Sequence, residues 1–277
     1  MTQSRQHRAA AVAHVSRSFR RAALGVALVA ASAVAQAALA PFTLDPAAAG
    51  LAGASSFVAD NLLITDFATI TAGGGNTFSE EGYLSVIAAQ RNNATVSTPG
   101  LNSSYSLYIH FTGSGTSSAA NPLSTPTVGG FSSLDYTIYG VQGNATFGFN
   151  GSAPMTSAVN PVALASGSLV DGNLATFPSG GTFVAFANAN VSFNALIASV
   201  FSTPGSIISS AMTSFTNTSS EVVPFEDATG RGFMINSGGG SINFATTPVP
   251  EPSSYTLMLA GLAAVFGLSR RRSRRDA

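Results

Sequence analysis

The sequence predicts an all-β domain, built as a sandwich, a jelly-roll-like arrangement or a closed sheet. Apolar and polar residues alternate with a period of two along several stretches of residues 38–247, as in half-buried strands. Gly, Pro and Asn recur about every 8–12 residues, which is typical of short strands joined by turns. The chain contains 19 Phe and no Trp, which favours a core filled with Phe rings.

Two stretches alternate most clearly, residues 104–112 and 133–140. Tyr105, Leu107 and Ile109 face one side of the first, and Asp135 lies opposite the apolar face of the second. The other predicted strands are residues 62–71, 83–90, 145–149, 162–170, 182–187, 190–193, 206–215, 232–236 and 241–245. The predicted polar loops are residues 72–77, 113–130 and 150–161.

Residues 1–37 have the three parts of a secretory signal peptide. A basic region ending in Arg20-Arg21 precedes an apolar stretch over residues 22–35, and Ala35-Gln36-Ala37 fits the small-x-small cleavage rule. We expect a signal helix here and cleavage by signal peptidase between Ala37 and Ala38. The alternative is an uncleaved membrane anchor.

The last thirty residues combine three features in a fixed order. Pro250-Glu251-Pro252 comes first, and an uncharged apolar run over residues 255–268 follows. A helix over residues 253–269, about 17 residues, would reach roughly 25 Å, so a single transmembrane helix is expected. The arginines that follow should stay cytoplasmic under the positive-inside rule. They are Arg270, Arg271, Arg272, Arg274 and Arg275.

This tail resembles the PEP-CTERM sorting signal, with Pro250, Glu251 and Pro252 as its motif. The resemblance implies recognition by an exosortase, a membrane-embedded cysteine peptidase that processes such proteins. It also implies a Gram-negative bacterium that makes exopolysaccharide. The expected domains are therefore a signal peptide (1–37), a secreted β domain (38–247) and a sorting signal (248–277). A plain C-terminal anchor is the alternative.

The expected secreted domain is acidic and has few groups suited to catalysis. Arg91 and Arg231 stand against ten carboxylates, a net charge of about −8, and the chain has no Lys or Cys. Nucleic acid is excluded as a partner, since phosphate contacts need clustered cations. Thiol catalysis and disulfides are also excluded. His110 is the only histidine after residue 37, and no recognisable nucleophile motif accompanies it.

A candidate glycan-binding face consists of Tyr108, His110, Asp135 and Tyr139. If their strands pair, these residues share one outer sheet face, where aromatic rings and polar groups suit carbohydrate. An ordinary solvent face is the alternative. Residues 60–66 and 226–227 offer oxygen ligands suited to Ca²⁺, but neither segment has the spacing of a known Ca²⁺-binding loop. No metal, cofactor or catalytic residue is therefore predicted.

The middle of the chain is similar to flocculation-associated PEP-CTERM proteins. The similar segments are residues 50–53, 59–69, 81–84, 100–105, 131–140, 165–169, 214–218 and 239–244. The resemblance implies a non-enzymatic extracellular or cell-surface protein that helps cells aggregate with exopolysaccharide or other matrix components. Two alternatives stay open: a carbohydrate-binding module that holds the polysaccharide directly, and a secreted hydrolase.

Overall fold

The computed structural model describes residues 40–119, 126–179, 182–203, 206–207, 212–219, 222–227 and 230–245, which belong to one compact unit. The predicted signal helix and transmembrane helix lie outside these residues. Within them the chain forms strands and two short 3-10 helices at Pro46–Ala49 and Gly74–Asn76, so the predicted all-β class is confirmed. The strands are β1 (Phe42–Leu44), β2 (Phe57–Ala59), β3 (Asn61–Ala72), β4 (Thr77–Arg91), β5 (Ala94–Val96), β6 (Tyr105–Ser117), β7 (Thr127–Gln142), β8 (Phe147–Asn150), β9 (Ala153–Thr156), β10 (Val162–Ser179), β11 (Thr182–Leu196), β12 (Phe201–Thr203), β13 (Ser206–Ile207), β14 (Met212–Ser219), β15 (Val222–Asp227) and β16 (Gly230–Ala245).

Eight long strands form one closed antiparallel sheet. Their order is β14, β11, β10, β7, β6, β4, β3 and β16, and β16 pairs back onto β14 from Met212–Ala245 to Thr218–Gly239. Opposite walls lie close together, since Leu84 on β4 and Val191 on β11 line the same narrow interior gap. The two walls therefore pack face to face, as in the predicted sandwich. In a sandwich the edge strands of the two sheets are not hydrogen-bonded to each other, whereas here backbone hydrogen bonds join them into one closed sheet.

At one end of the closed sheet, backbone pairing between two neighbouring strands is missing among the described residues. β14 pairs with β11 only as far as Ala185–Ser219 and with β16 only as far as Gly239. Beyond these points β15 continues along β16, and no pairing among the described residues joins β15 to β11. Among the described residues, β11 and β15 therefore approach each other without backbone pairing, and we call this stretch the seam.

A small sheet closes the other end. Strands β13, β12, β1 and β2 form it, and Phe42 on β1 meets Phe244 of β16 edge-on with 4.5 Å between ring centroids. Phe193 stacks on the same ring at 5.8 Å, and Phe201 lies tilted against it at 5.9 Å. Phe42 is completely buried, and Phe201 and Phe244 are nearly so. The predicted Phe-filled core is thus concentrated at this end.

The strands are longer than the sequence predicted. Residues 182–187 and 190–193 belong to one strand, β11, and the predicted loop over residues 113–130 contains the ends of β6 and β7. Gly and Asn in these segments favour turns locally. They lie inside strands because long pairing partners continue on both sides and bulges absorb the irregular positions, as between Asn236 and Gly238.

The predicted alternation of faces is confirmed for β6 and β7. Tyr105, Leu107 and Ile109 are buried in the interior. On β7, Leu134 is buried and Asp135 is exposed. The apolar face of an alternating strand turns to the interior and the polar face turns to solvent. The faces of β6 and β7 could therefore be predicted without knowing which strands lie beside them.

Candidate functional site

The outer faces of β4, β6 and β7 bring the candidate residues together. Tyr83 on β4 is the register partner of His110 on β6, and Tyr108 is the partner of Tyr139 on β7. Asp135 lies four residues before Tyr139, and alternate strand residues share a face. The pairing on which the predicted glycan-binding face depended is therefore present.

Tyr108 is buried beneath the β8–β9 hairpin, which lies on this outer face. Its ring stacks on Tyr139 at 5.2 Å and contacts Phe147 of the hairpin at 5.4 Å between centroids. Phe67 of β3 stacks on Phe147 from the other side at 6.0 Å. Only 3% of Tyr108 is exposed, and burial, followed by the neighbouring tyrosines, raises its pKa to about 12. Tyr108 therefore supports the face from below and does not offer its ring to a ligand.

Hydrogen bonds fasten the tip of this hairpin. The Thr69 hydroxyl donates to the Ser152 carbonyl, and the Ser152 hydroxyl donates to Asp227 Oδ2 at 2.8 Å. Because these contacts come from β3 and β15, the hairpin is held against the sheet at both its aromatic and its polar end.

His110 sits between an acid and an aromatic ring. Its Nε2 lies 3.2 Å from Glu81 Oε1, and its ring centroid lies 4.9 Å from that of Tyr83. Burial, then the negative charge of Glu81 and the nearby Tyr139, raises the pKa of Tyr83. The three side chains form a fixed group with an aromatic surface and polar edges.

Two hollows flank this group and both reach Thr112. One, of about 360 Å³, lies between the hairpin and the sheet and touches Thr69, Glu81 and Ser152. The other, of about 250 Å³, is lined by His110, Thr112, Asp135, Thr137, Ser166 and Asn194. The two hollows share Thr112 in their linings, and we call them together the outer groove.

The outer groove is chemically suited to hydroxyl-rich ligands. Hydroxyl, amide and carboxylate groups line it, and Asn194 Nδ2 is itself oriented by a 3.1 Å hydrogen bond to Ser168 Oγ. Polar groups beside an aromatic surface can hydrogen-bond sugar hydroxyls and stack on the apolar face of a sugar ring. His110 has an acid beside it and no serine or cysteine nucleophile among its described contacts.

The structure sorts the four predicted residues into two roles. His110 and Asp135 both line the outer groove. Tyr139 is half-buried against Tyr108 and belongs to the aromatic support. The predicted face is therefore narrower than the sequence suggested, because a hairpin distant in sequence covers Tyr108.

Sequence reasoning missed several lining residues. Glu81, which was not among the predicted site residues, contacts His110, whereas the neighbouring Glu80 points to the interior. Because successive residues of a strand point to opposite faces, the sequence did place Glu80 and Glu81 on opposite sides of β4. This was the sequence feature from which the position of Glu81 could have been predicted. Nothing in the local sequence around Ser166 and Asn194 indicated that they line the outer groove. They do so because β10 and β11 follow β7 in the closed sheet, and this strand order could not be predicted from either segment.

The oxygen-rich segments weighed for a cation do not converge. Asp60 Oδ2 accepts a hydrogen bond from the Asn92 backbone at 2.6 Å, whereas Asp66 points into the interior. Glu226 pairs with Arg231 at 3.3 Å. Across the described ranges, no three acids or histidines are grouped as metal ligands would be.

The remaining predicted sites lie outside the described residues. They are the cleavage site Ala37–Ala38, the motif Pro250, Glu251 and Pro252, and the arginine cluster. In the part of the chain that is described, no helix has the length and apolar character needed to span a membrane.

Comparison with known proteins identifies the tail. Residues 248–275 match the PEP-CTERM protein-sorting motif. No curated protein and no solved structure matches the chain. The matched segment begins directly after the expected β domain and includes the Pro-Glu-Pro motif and the arginine cluster. The chain thus carries a PEP-CTERM protein-sorting motif, which implies export, membrane-anchored transit and processing by an exosortase.

Proposed function

We propose that this chain is a non-enzymatic matrix protein that supports flocculation or biofilm formation together with exopolysaccharide. It crosses the inner membrane, is held there by its tail until the exosortase acts, and then reaches the cell surface or the extracellular matrix. The sorting motif at residues 248–275 is the observation that carries the proposal. The acidic, lysine-free domain agrees with a soluble role outside the cell.

Two measurements in the native host test this proposal. Mass spectrometry of the exported protein should find a C-terminus near Pro252, without the arginine cluster; an intact Arg275 would contradict processing. Deletion of the gene should disperse the flocs while polysaccharide is still made. Complementation with Glu251→Ala separates sorting from domain function, and undisturbed flocs in the deletion strain would contradict the matrix role.

A second candidate function is direct binding of the polysaccharide by the outer groove. The favouring observation is that His110 and Asp135 line one polar hollow beside the Tyr83 ring. Replacement of both by Ala should abolish retention on host polysaccharide, because it removes two hydrogen-bonding groups at once. Glu226→Gln, on the exposed β15–β16 hairpin, is the matched control and should bind as the wild type does. Equal retention of all three proteins would contradict groove binding.

A further inference from the structure

A cavity lies inside the closed sheet at the end with the seam. It has a volume of about 40 Å³, room for roughly three water-sized groups. Its walls come from β3, β4, β6, β10, β11 and β16, and most of the lining residues are apolar. The apolar lining includes Ile70, Phe78, Leu174, Ala185, Phe233 and Ile235. Because Ala185 and its neighbours Ala175 and Ala187 are small, β10 and β11 leave this space unfilled.

Glu80 is the charged residue in this apolar lining. It is 7% exposed, and it is the register partner of Ile70, whose side chain also faces the cavity. No described residue donates a hydrogen bond to its carboxyl. Burial raises the pKa of Glu80 to about 7. Burying a carboxylate without a hydrogen bond or a counter-charge costs free energy. A ligand that brings a positive charge or a hydrogen-bond donor to Glu80 would offset that cost.

In the described part of the chain, no basic side chain lies beside Glu80. Residues 40–245 contain Arg91, His110 and Arg231 as their only basic residues. Arg91 and Arg231 are exposed, and His110 lies on the outer face with Glu81. The second interior acid, Asp66, has its pKa raised by burial and then by Glu80, which favours its neutral form, and it offers Glu80 no positive charge. The interior is therefore acidic without compensation from basic side chains of this domain.

We propose that the seam end of the closed sheet binds a primary amine on a short alkyl chain, with the ammonium group at Glu80. The apolar lining favours an organic cation over a hydrated metal ion, because the alkyl carbons replace water along the wall. The size admits the amine and a few carbons, while the rest of a longer molecule extends through the seam. Eight-stranded closed sheets have an interior wide enough for one small ligand.

The test is an NMR titration of the full chain at pH 7 with n-butylamine, n-butanol, butyrate and Ca²⁺ as separate probes. We expect saturable shifts from butylamine at Ala175, Ala185 and Phe233. Butanol should bind at least about tenfold more weakly, since it lacks the charge. Glu80→Gln keeps the shape of the side chain and should lower butylamine affinity by about tenfold or more.

Two further variants sharpen the result. Ala185→Leu fills the cavity and should prevent butylamine binding, whereas Glu226→Gln on the surface should leave it unchanged. The proposal is overturned if butylamine produces no saturable shift or if butanol binds equally well. It is also overturned if Glu80→Gln binds as the wild type does, or if Ca²⁺ alone shifts the cavity residues. Glu80→Gln removes a buried charge without adding volume, so it remains informative even if Ala185→Leu fails to fold.

Discussion

Glu80 on β4 raises the pKa of Asp66 on β3, inside the closed sheet where burial has already raised it. The two strands pair directly, and the Ala68–Gly82 register pair lies between the two acids. An inward acid is rare in a core because its charged form loses hydration. The pair gives the domain an interior whose charge depends on pH.

The first prediction is that the domain is more stable in mild acid than at pH 8. The folded pKa of Glu80 is about 7 against an ordinary value of 4.5, so the folded state binds the proton more tightly. That contribution is complete below about pH 4.5 and is lost as the pH rises through 7. Its loss lowers the free energy of unfolding by about 3 kcal/mol.

Urea unfolding of wild type and Glu80→Gln at pH 4.5, 6, 7 and 8 measures this contribution. The difference between the two proteins separates the contribution of Glu80 from that of Asp66, whose pKa is raised in the same direction by burial and then by Glu80. Glu226→Gln serves as the surface control, since its carboxyl is exposed. A wild-type minus Glu80→Gln difference that stays constant across this range would contradict the assignment.

The second prediction concerns Gly82. A Cβ there would lie 2.7 Å from the Ala68 Cβ and 2.8 Å from the Phe67 carbonyl oxygen. Gly82→Ala should therefore lower the free energy of unfolding by about 1–3 kcal/mol through overpacking. Gly148→Ala is the matched control, because nothing lies within 4 Å of its Cβ position. Equal stability of the two variants would mean that β3 can move aside.

The third prediction is that Phe147 holds the β8–β9 hairpin on the outer face. Phe147→Ala removes ring contacts to Phe67, Tyr83 and Tyr108. Hydrogen exchange over residues 147–156 should accelerate, and Tyr108 should become accessible to solvent. Met155→Ala, on an exposed side chain of the same hairpin, should leave exchange unchanged. Slow exchange in the Phe147 variant would show that the Ser152 hydrogen bonds suffice.

The fourth prediction concerns the closed end. Phe42 is fully buried and lies edge-on to Phe244. Phe42→Ala should lower the free energy of unfolding by about 3–5 kcal/mol, since it leaves a cavity among aromatic rings. Thermal or urea unfolding measures the loss, and Val159→Ala provides an exposed control. A loss below about 1 kcal/mol would mean that β1 contributes little to the closed end.

Local alternation made the faces of β6 and β7 predictable. Tyr105 and Ile109 point inward and His110 points outward because successive strand residues take opposite sides. The same rule separates Glu80 from Glu81, which was the clearest local clue to an interior acid. Strand lengths were less predictable, because the Gly238–Gly240 region favours turns locally and its pairing with β3 and β14 keeps it extended.

The sequence by itself determined the all-β class, the facing of the main strands and the sorting tail, because these depend on local alternation or on a contiguous motif. Only the tertiary structure decided that the sheet closes through β14 and β16 and that a hairpin buries Tyr108. It also brought Ser166 and Asn194 to His110 and placed Glu80 beside an apolar cavity. These relationships join residues far apart in the chain, and the long-range strand pairing that creates them leaves no mark in any one segment.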